Sequence, residues 1–412
     1  MSKDQPGDTD VSWPALTFEQ RPWQVRPGSD VSRTQLRKHQ GPYEAAVVPE
    51  IAGVAVRLPT DVLAEAEDTA LAISRFDEYV SQAIPGESEL APLSSVLLRS
   101  ESASSSQIEH LIVSARQLAL VEIGGQSGSN AKIVATNVTA MQAALELSDR
   151  LDKDSILTMH EALLAGSDPD HAGQWRSEQV WIGGGYAAVG PHTASFVPPH
   201  HERVEPALDD LVEFIDREDV PITVQAAIAH AQFETIHPFT DGNGRTGRAL
   251  IHAMLRGKGL TRRVTVPISA GLLIDTDSYF DALEAYRRGN LVPIVRRVNA
   301  ASFAAIDNGK ELVDDLADIR TQWGSQITAR RDAAAWKLAD LLLRQPVVNN
   351  AEVVRELAVS VPAAQTAIDH LAGIGALVAS DNKTRNRVWQ SPDVLGALDA
   401  FAARTGRRHA AG

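Results

Sequence analysis

The sequence contains no cysteine and few aromatic residues. Among its 412 residues, Phe, Trp and Tyr together make up 5%. The absence of cysteine excludes disulfide bonds and thiolate zinc sites, and it fits a reducing compartment. The first residues lack the apolar core of a secretion signal, and no apolar run is long enough to span a bilayer. We therefore expect a soluble, cytoplasmic protein with no membrane partner.

Positive charge is also scarce. Lys and Arg number 39 against 53 Asp and Glu, which gives a formal net charge of -14. A surface of this sign does not attract nucleic acid by bulk electrostatics. Any contact with DNA must therefore be local.

The length predicts two or three domains. The first residues are polar and proline-rich but contain Trp13, Phe18 and Trp23, so we expect an extended arm packed on the body. Helical spacing of apolar residues dominates from about 43 to 320. We divide the chain into an N-terminal arm (1–42), an N-terminal helical region (43–150), a catalytic core (151–320) and a third unit (330–412).

The most informative segment runs from His237 to Arg248 and reads HPFTDGNGRTGR. Glycine is able to adopt positive φ without steric cost, so Gly242 and Gly244 would let several backbone N–H groups converge on one anion. Helical spacing resumes after them and ends at Gly257. The glycines therefore open onto a helix N-terminus, where the helix dipole also favours negative charge. This arrangement predicts a phosphate site.

Side chains suited to phosphate chemistry surround this loop. Arg245 and Arg248 lie three residues apart on one helix face, and guanidinium groups match phosphate oxygens. Asp241 precedes the glycines, and one carboxylate with substrate phosphates and water is the usual way that proteins hold Mg2+. His237 ends the preceding helix, and its unperturbed pKa of about 6.5 suits proton removal from a hydroxyl. Each residue alone is more often structural, but the ordered set favours a functional site.

The segment resembles the signature of the Fic family, His-x-Phe-x-(Asp/Glu)-Gly-Asn-Gly-Arg-x-x-Arg, at every specified position. The resemblance implies a mainly α, Fic-type helical core with a β-hairpin flap. It also implies a protein adenylyltransferase that moves AMP from ATP to a Ser, Thr or Tyr hydroxyl of a target protein. The intact glycine pair argues against the related Doc-type phosphotransferases. The implied roles are His237 as general base, Asp241 as Mg2+ ligand, Gly242, Asn243 and Gly244 as the cradle of the α- and β-phosphates, Arg245 and Arg248 on the polyphosphate, and Phe239 in the core.

A second segment lies far upstream, around Glu109. Ser106 and Glu109 have the spacing of a capping box, in which the glutamate satisfies a backbone amide at the start of a helix. Apolar residues at helical spacing follow from Leu111 to Ala119 and predict that helix.

The same segment also resembles the inhibitory motif of Fic proteins, (Ser/Thr)-x-x-x-Glu-(Gly/Asn). Ser105 and Glu109 match it, and its position before the core resembles the class II arrangement. The resemblance implies that Glu109 pairs with Arg248 and blocks the productive position of the ATP γ-phosphate. His110 departs from the pattern, because the family has Gly or Asn there.

Two segments between the motifs, 175–183 and 193–199, predict short β segments joined as a hairpin. They resemble the Fic flap, which implies that a protein substrate docks on this hairpin by strand addition. The adjacent His200 and His201 are expected to face solvent, and we assign no metal to them.

Downstream of the signature we expect a helix at 268–279, and the resemblance implies that this helix packs beside the nucleotide. The resemblance implies a nucleotide contact by Tyr279 and places Asp275 where the family often has an asparagine. The pairs Arg287–Arg288 and Arg296–Arg297 are typical of solvated helix faces.

The third unit predicts three helices and a β ribbon. We place the helices at 333–343, 351–357 and 362–371, and the two strands at 376–379 and 387–390. This order resembles a C-terminal winged helix-turn-helix domain, which many class II Fic proteins carry. Local basic residues run against the overall charge of the protein; they are Lys383, Arg385, Arg387, Arg404, Arg407 and Arg408.

Two interpretations of the third unit stay open. A DNA-binding module would place its third helix in the major groove. A structural module would instead support target docking or a homodimer. The third helix, around 363–370, carries no Arg or Lys, which favours the second interpretation.

Two alternatives to AMP transfer also stay open. The same site would remove AMP from a modified protein if Glu109 oriented a water molecule. Alternatively, the chain would be a DNA-binding regulator whose Fic site senses ATP without turnover.

Overall fold

The computed structural model describes residues 13–24, 39–83, 90–126, 128–183, 190–330, 333–380 and 387–406. The protein is mainly α, as the sequence predicts. The helices are α1 (Thr60–Ala83), α2 (Leu90–Ile108), α3 (Ala115–Glu122), α4 (Ser129–Glu146), α5 (Lys153–Leu164), α6 (Val204–Ile215), α7 (Ile222–Ile236), α8 (Asn243–Gly257), α9 (Ile268–Leu273), α10 (Thr276–Arg287), α11 (Val292–Gln326), α12 (Ala334–Arg344), α13 (Asn350–Leu357), α14 (Val361–Gly373) and α15 (Pro392–Arg404). The strands are β1 (Thr17–Arg21), β2 (Tyr43–Val47), β3 (Val347–Asn349), β4 (Val378–Ala379) and β5 (Val388–Gln390).

Helix α7 lies at the centre of the core. Every residue from Thr223 to Ile236 is buried, because small and apolar side chains cover all sides of the helix. It packs against α6, α8 and α11. The residue that follows it, His237, is therefore positioned by a helix that the core encloses.

Helix α11 is 35 residues long and links the core to the C-terminal unit. It packs on α1, α9 and α10 and also contacts α12 and α15. Its approach to α9 requires a glycine, because a Cβ at Gly271 would lie 2.0 Å from the carbonyl oxygen of Ala301. No helix in the described part of the chain, α11 included, has the length and apolarity needed to cross a membrane.

The N-terminal arm packs on the body along its described residues. β1 pairs antiparallel with β2, with Thr17 opposite Val47. Trp13 is buried as expected, and Trp23 packs edge-on against Trp181 with 5.5 Å between ring centroids. Phe18 is 58% exposed, so it does not hold the arm to the core.

The hairpin expected between 175 and 199 is present in a reduced form. Ile182 and Phe196 form an antiparallel bridge, in which the Ile182 N–H donates to the Phe196 carbonyl over 2.8 Å. The expected turn at 183–185 falls partly on 184–189, which lie outside the described residues.

The capping box predicted at Ser106 and Glu109 is wrong. Helix α2 runs through Ser106 and ends at Ile108, so Glu109 follows a helix and does not start one. The capping box is instead at Ser114. The Ser114 side chain accepts a hydrogen bond from the Gln117 N–H, and the Gln117 side chain accepts one from the Ser114 N–H. The apolar residues just after Glu109 suggested continuous helical spacing, but they belong to the connection between α2 and α3.

The C-terminal unit contains the three predicted helices and two additional elements. β5 is the middle strand and pairs antiparallel with both β3 and β4. The sequence analysis predicted neither β3 nor α15; at β3, Pro346 and Asn349 flank only two apolar residues, which is too short a pattern to indicate a strand. Four of the local basic residues lie outside the described residues: Lys383, Arg385, Arg407 and Arg408. The winged-helix assignment stays a prediction.

The C-terminal unit also joins α2 to α3. Arg99 of α2 donates to the Gln345 Oε1 atom over 3.2 Å and to the Arg344 carbonyl, and it pairs with Glu122 of α3 at 2.7 Å. The Gln345 Nε2 atom donates in turn to a backbone carbonyl of α3 over 2.8 Å. The connection that carries Glu109 is therefore bounded by two helices that contact the same unit.

Gly271→Ala tests the close packing of α9 on α11. The added Cβ would lie 2.0 Å from the Ala301 carbonyl oxygen, and that oxygen moves only with its helix. We expect the free energy of unfolding, measured by urea denaturation, to fall by about 1–3 kcal/mol. Gly396→Ala is the matched control, since it is an exposed position in α15 with nothing within 4 Å of the added Cβ. It should raise the free energy of unfolding by about 0.5–1 kcal/mol. Equal effects of the two substitutions would contradict this packing.

Candidate active site

The loop between α7 and α8 turns on two left-handed residues. His237 has a φ of 50° and caps α7 by donating its N–H to the Phe233 carbonyl over 2.9 Å. Gly242 has a φ of 79° and precedes α8. A left-handed backbone conformation is energetically unfavourable for any residue other than glycine. Residues held in this conformation cluster at functional sites. At His237 it directs the chain out of the helix and into the loop.

Asn243 fixes the shape of this loop. Its Oδ1 accepts from the Phe239 N–H and its Nδ2 donates to the Phe239 carbonyl, both over 2.9 Å. The resemblance placed Asn243 in the phosphate cradle. Its side-chain amide is committed to the loop, so its contribution to a cradle is its backbone N–H at the start of α8.

Phe239 lies in the core, as expected. Its ring stacks on His160 with 3.5 Å between centroids and on Trp175 with 5.0 Å. The His160 Nδ1 accepts from the Gly173 N–H over 3.1 Å, so its Nε2 carries the proton and donates to the Asp241 carbonyl over 3.0 Å. Burial lowers the pKa of His160 to about 4, which keeps this ring neutral.

Arg176 ties the hairpin to the loop. Its Nε donates to the His237 carbonyl over 2.8 Å, and its backbone N–H donates to the Pro238 carbonyl over 3.0 Å. A third bond runs from its Nη2 to the Pro199 carbonyl over 2.5 Å. The sequence analysis did not select His160 or Arg176, since nothing local distinguishes them from ordinary core and hairpin residues.

Arg245 is buried and only partly satisfied. Its Nη2 donates to the Asp241 Oδ2 over 3.1 Å. Within the described part of the chain, its Nε and Nη1 atoms have no hydrogen-bond partner. Buried cationic N–H groups without partners are costly. The loop therefore holds two enclosed charged donors that no described residue satisfies.

Arg248 is the most enclosed charge in the loop, with 1% of it exposed. Its Nε donates to the Ser105 Oγ over 2.9 Å, and its Nη2 donates to the Ser105 carbonyl and to the Glu109 Oε1, both over 2.8 Å. Both residues of the upstream motif thus meet the last arginine of the signature. Arg245 and Arg248, expected to share one polyphosphate, each bind a different carboxylate here.

The Glu109 carboxylate lies against the first turn of α8. A Cβ at Gly244 would be 2.0 Å from the Glu109 Oε1 and 2.9 Å from the Arg248 Nη1. A side chain at this position would displace the carboxylate, so glycine allows the carboxylate to approach the backbone this closely. A helix N-terminus favours an anion at this point, and the anion present is a side chain of the protein itself.

The backbone conformation at His110 shows why the residue type matters at this position of the family pattern. His110 has a φ of 61°. Gly and Asn adopt this left-handed conformation most readily, which explains their place in the family pattern. This chain therefore adopts the left-handed conformation after Glu109 with a residue, His110, for which that conformation is less favourable.

Electrostatics around His237 differ from the sequence expectation. Burial, together with the nearby guanidinium groups of Arg176 and Arg287, lowers the pKa of His237 to about 3. The ring is therefore neutral at physiological pH, but it is a weaker base than its unperturbed pKa suggested.

Tyr279 lies inside the protein, with 1% exposed, and its hydroxyl is hydrogen-bonded to the His230 Nε2 over 2.8 Å. Its neighbour Phe280 is 49% exposed. Asp275 does not extend the helix expected at 268–279; it caps α10 by accepting from the Ser278 N–H over 3.0 Å.

A cavity of about 700 Å³ opens between the hairpin, β1 and α10. Arg287 stacks on the Phe196 ring with its guanidinium carbon 3.7 Å from the ring centroid. The expectation that Arg287 belongs to a solvated helix face is wrong, because the hairpin covers it. Its neighbour Arg288 is exposed and pairs with Glu284 at 3.3 Å, as expected. The cavity is lined by Ala15, Leu16, Phe18, Ile182, Ser195, Phe196, Glu234, Phe280, Leu283, Glu284, Arg287 and Arg288.

We expected His200 and His201 to face solvent, but both residues are half-buried. Together with Glu202, their ligand atoms lie within 4.8 Å of one another. The Glu202 Oε2 already accepts from Arg21 over 3.2 Å. This arginine competes with any cation, and we assign no metal there.

Comparison with known proteins identifies the segment that carries the signature. The sequence profile described as Fic/DOC family matches residues 150–255. These residues form a Fic domain. A crystal structure of a Fic family protein from Desulfovibrio desulfuricans G20 superposes with a TM-score of 0.51 at 19% identity, covering 81% of this chain and 97% of that one. At this identity the superposition establishes similarity of fold.

Two relatives show the extent of the sequence similarity. The Caenorhabditis elegans protein named protein adenylyltransferase fic-1 is 35% identical over 162 residues, which are 38% of this chain and 28% of that protein. The Nematostella vectensis protein named protein adenylyltransferase Fic is 29% identical over 166 residues, 40% of this chain and 35% of that protein. The chain thus matches about a third of the length of these relatives.

Asn243→Ala tests whether the side-chain amide holds the loop of the Fic domain. It removes two buried hydrogen bonds and leaves the Phe239 N–H and carbonyl without partners. We expect urea denaturation to show a loss of about 2 kcal/mol or more in the free energy of unfolding. Asn130→Ala, at an exposed position in the first turn of α4, is the control and should change stability by less than about 0.5 kcal/mol. A similarly small effect at both positions would count against this role.

Proposed function

We propose that this chain is a protein adenylyltransferase, which moves AMP from ATP to a hydroxyl of a target protein and is restrained by Glu109. The observation that carries the proposal is the position of the Glu109 carboxylate. It binds buried Arg248 at 2.8 Å and lies against Gly244 at the N-terminus of α8. The loop with the Fic signature thus contains an anion-binding site that the Glu109 carboxylate fills. The Glu109 side chain is 40% exposed, so the carboxylate is able to leave this site.

The phosphates of ATP fit the remaining donors. Arg245 supplies two unpartnered N–H groups, and the start of α8 supplies backbone N–H groups at Asn243 and Gly244. The cavity of about 700 Å³, whose wall includes Glu234 three residues before His237, has the volume of a typical small-molecule site. Its wall includes Phe280, whose exposed ring offers an apolar face to a nucleoside.

Asp241 fits an Mg2+ ligand. Its side chain is 67% exposed, and its Oδ2 is shared with Arg245 at 3.1 Å, so the carboxylate keeps room for a hydrated ion. Mg2+ is commonly held by one or two carboxylates with substrate phosphates and water. When bound, the ion would neutralise charge on the phosphates.

His237 is the base in this proposal. Its ring nitrogen takes the proton of the target hydroxyl, whose oxygen forms a bond to the α-phosphorus of ATP. The bond from that phosphorus to the bridging oxygen breaks, and pyrophosphate leaves. The target docks on the hairpin around Ile182 and Phe196 by strand addition, which brings its side chain to the loop tied down by Arg176.

Glu109 restrains the reaction by occupying Arg248. While the carboxylate is bound, the guanidinium is not available to the γ-phosphate, and a second anion beside it is repelled. Release requires the partly exposed Glu109 side chain to swing away from Arg248. This corresponds to the class II arrangement that the sequence resembles.

A second candidate function, removal of AMP, is favoured by one observation. The Glu109 carboxylate is fixed within the site and yet 40% exposed, so it is placed to orient a water molecule. In that case Glu109 would be required for activity and would not restrain it.

For the remaining parts of the chain we propose a winged-helix fold at 330–412 and a cytoplasmic location, which the absence of cysteine favours. Within this unit, α14 carries no Arg or Lys, which supports a role in docking or homodimer formation over one in DNA binding.

Glu109→Gly should raise transfer of label from [α-32P]ATP to protein in a cell lysate by at least about tenfold, because Arg248 becomes free for the γ-phosphate. Glu218→Gly, which removes an exposed glutamate from a surface bend, is the matched control and should leave the rate unchanged. The double variant Glu109→Gly, His237→Ala should lose the label.

Three outcomes separate the alternatives. Label from [γ-32P]ATP would indicate phosphate transfer in place of AMP transfer. Loss of label from a previously modified protein only when Glu109 is intact would indicate AMP removal. ATP binding without label in either variant would support the sensing regulator.

Asp241→Asn tests the Mg2+ assignment. In the Glu109→Gly background it should raise the Mg2+ concentration needed for half-maximal transfer, since the ion loses its charged ligand. Asp219→Asn is a matched control, because this aspartate is 69% exposed and also pairs with an arginine. An unchanged Mg2+ dependence in the Asp241 variant would remove that residue from the site.

A further inference from the structure

Two buried polar side chains near the candidate site, Glu234 and His237, lie close together without a hydrogen bond between them. Glu234 lies in the last turn of α7, and its Oε2 is 3.9 Å from the His237 Nδ1. Among the described residues, neither that Nδ1 nor the Glu234 Oε1 has a hydrogen-bond partner. Unsatisfied buried polar atoms are uncommon and costly. A shift of about 1 Å would turn this pair into a hydrogen bond.

The position of Nδ1 determines which nitrogen of the ring faces the substrate. Nδ1 is inaccessible, whereas 19% of the His237 side chain remains exposed. Because Nδ1 is enclosed, Nε2 is the ring nitrogen left for a target hydroxyl.

A neutral imidazole has one proton and one lone pair. If Nε2 is to accept a proton, the ring proton must be on Nδ1, and it needs an acceptor there. Glu234 provides both acceptors in reach, since its backbone carbonyl also acts on the His237 ring. The carbonyl helps to select the tautomer, but only the carboxylate has the charge that stabilises an imidazolium.

That charge matters because the surroundings of His237 oppose a positive ring. Burial, Arg176 and Arg287 together lower the pKa of His237 to about 3. A base is most effective when its pKa is near the working pH. An adjacent carboxylate offsets the two guanidinium groups at the moment when the ring takes the proton.

The charge state of Glu234 depends on several neighbours. Burial raises its pKa to about 7, the Arg248 and Arg287 guanidinium groups act to lower it, and the Glu109 carboxylate raises it. Tyr279 also lies within electrostatic range. Glu234 is therefore partly ionised at neutral pH and becomes more ionised when Glu109 leaves.

We propose that Glu234 is a positioning residue for His237: it accepts the Nδ1 proton and keeps the Nε2 lone pair directed at the target hydroxyl. The proposal rests on the proposed adenylyltransferase function. Glu234 also lines the cavity, so a direct contact with the nucleotide is the competing role that the test must separate.

The kinetic test uses Glu234→Gln in the Glu109→Gly background. Glutamine keeps the size of the side chain but removes its charge. We expect kcat to fall at least about tenfold, with KM for ATP unchanged. Glu213→Gln, at an exposed position on α6, is the control and should change neither. A raised KM with unchanged kcat would make Glu234 a nucleotide contact, and no change in either constant would also overturn the proposal.

The pH profile adds a readout that a structural role would not move. With Glu234 present, kcat/KM reports the free enzyme and should fall as the pH drops below the pKa of the carboxyl. That pKa is about 7 with Glu109 in place and lower in the Glu109→Gly parent. In the Glu234→Gln variant, kcat/KM should no longer fall with decreasing pH and should stay low across the same pH range.

A measurement independent of activity separates failure of this proposal from failure of the proposed function. Nitrogen-15 histidine NMR of the wild-type protein should show the His237 ring responding to a protonation near pH 7, because a proton taken up by the Glu234 carboxyl removes the charge that faces Nδ1. Glu234→Gln should abolish this response. A wild-type His237 signal that does not change between pH 6 and 8 would overturn the proposal even if the variant fails to fold. If the Glu109→Gly parent transfers no label but the response is present, the pair exists and the transfer function is wrong.

Discussion

The ion pair between Arg248 and Glu109 is the interaction on which the rest of the site depends. A guanidinium that is 1% exposed must have partners, and Ser105 and Glu109 supply three bonds between 2.8 and 2.9 Å. Removing one partner of a buried pair is costly unless another anion replaces it. The burial of Arg248 therefore favours the pair with Glu109, and it also creates a strong site for a phosphate once the Glu109 carboxylate leaves.

The loop that we propose to carry the chemistry is held from several directions. Asn243 binds the Phe239 backbone from within, His160 stacks on the Phe239 ring, and Arg176 joins the His237 carbonyl to the hairpin. These supports come from α8, α5 and the hairpin. A loop fixed in this way presents its N–H groups and its imidazole in one geometry, as electrostatic stabilisation of a transition state requires.

The sequence predicts the parts of the site that are local and misses those that depend on tertiary contacts. The glycines and the helix after them follow from backbone preferences, so the loop was predictable. Ser106 and Glu109 satisfy a capping pattern equally well, and the partner that decides between the two interpretations, Arg248, is 139 residues away. The cover over Arg287 arises only when the hairpin packs on α10, which spacing along the chain does not reveal.

The most direct measurement of the central claim is a crystal structure of the Glu109→Gly variant with a non-hydrolysable ATP analogue and Mg2+. A terminal phosphate oxygen should lie within hydrogen-bond distance of the Arg248 Nη2, at the place that the Glu109 carboxylate occupies, with Arg245 on the same phosphate chain. A phosphate chain bound elsewhere, or an Arg248 bonded only to Ser105, would contradict the account.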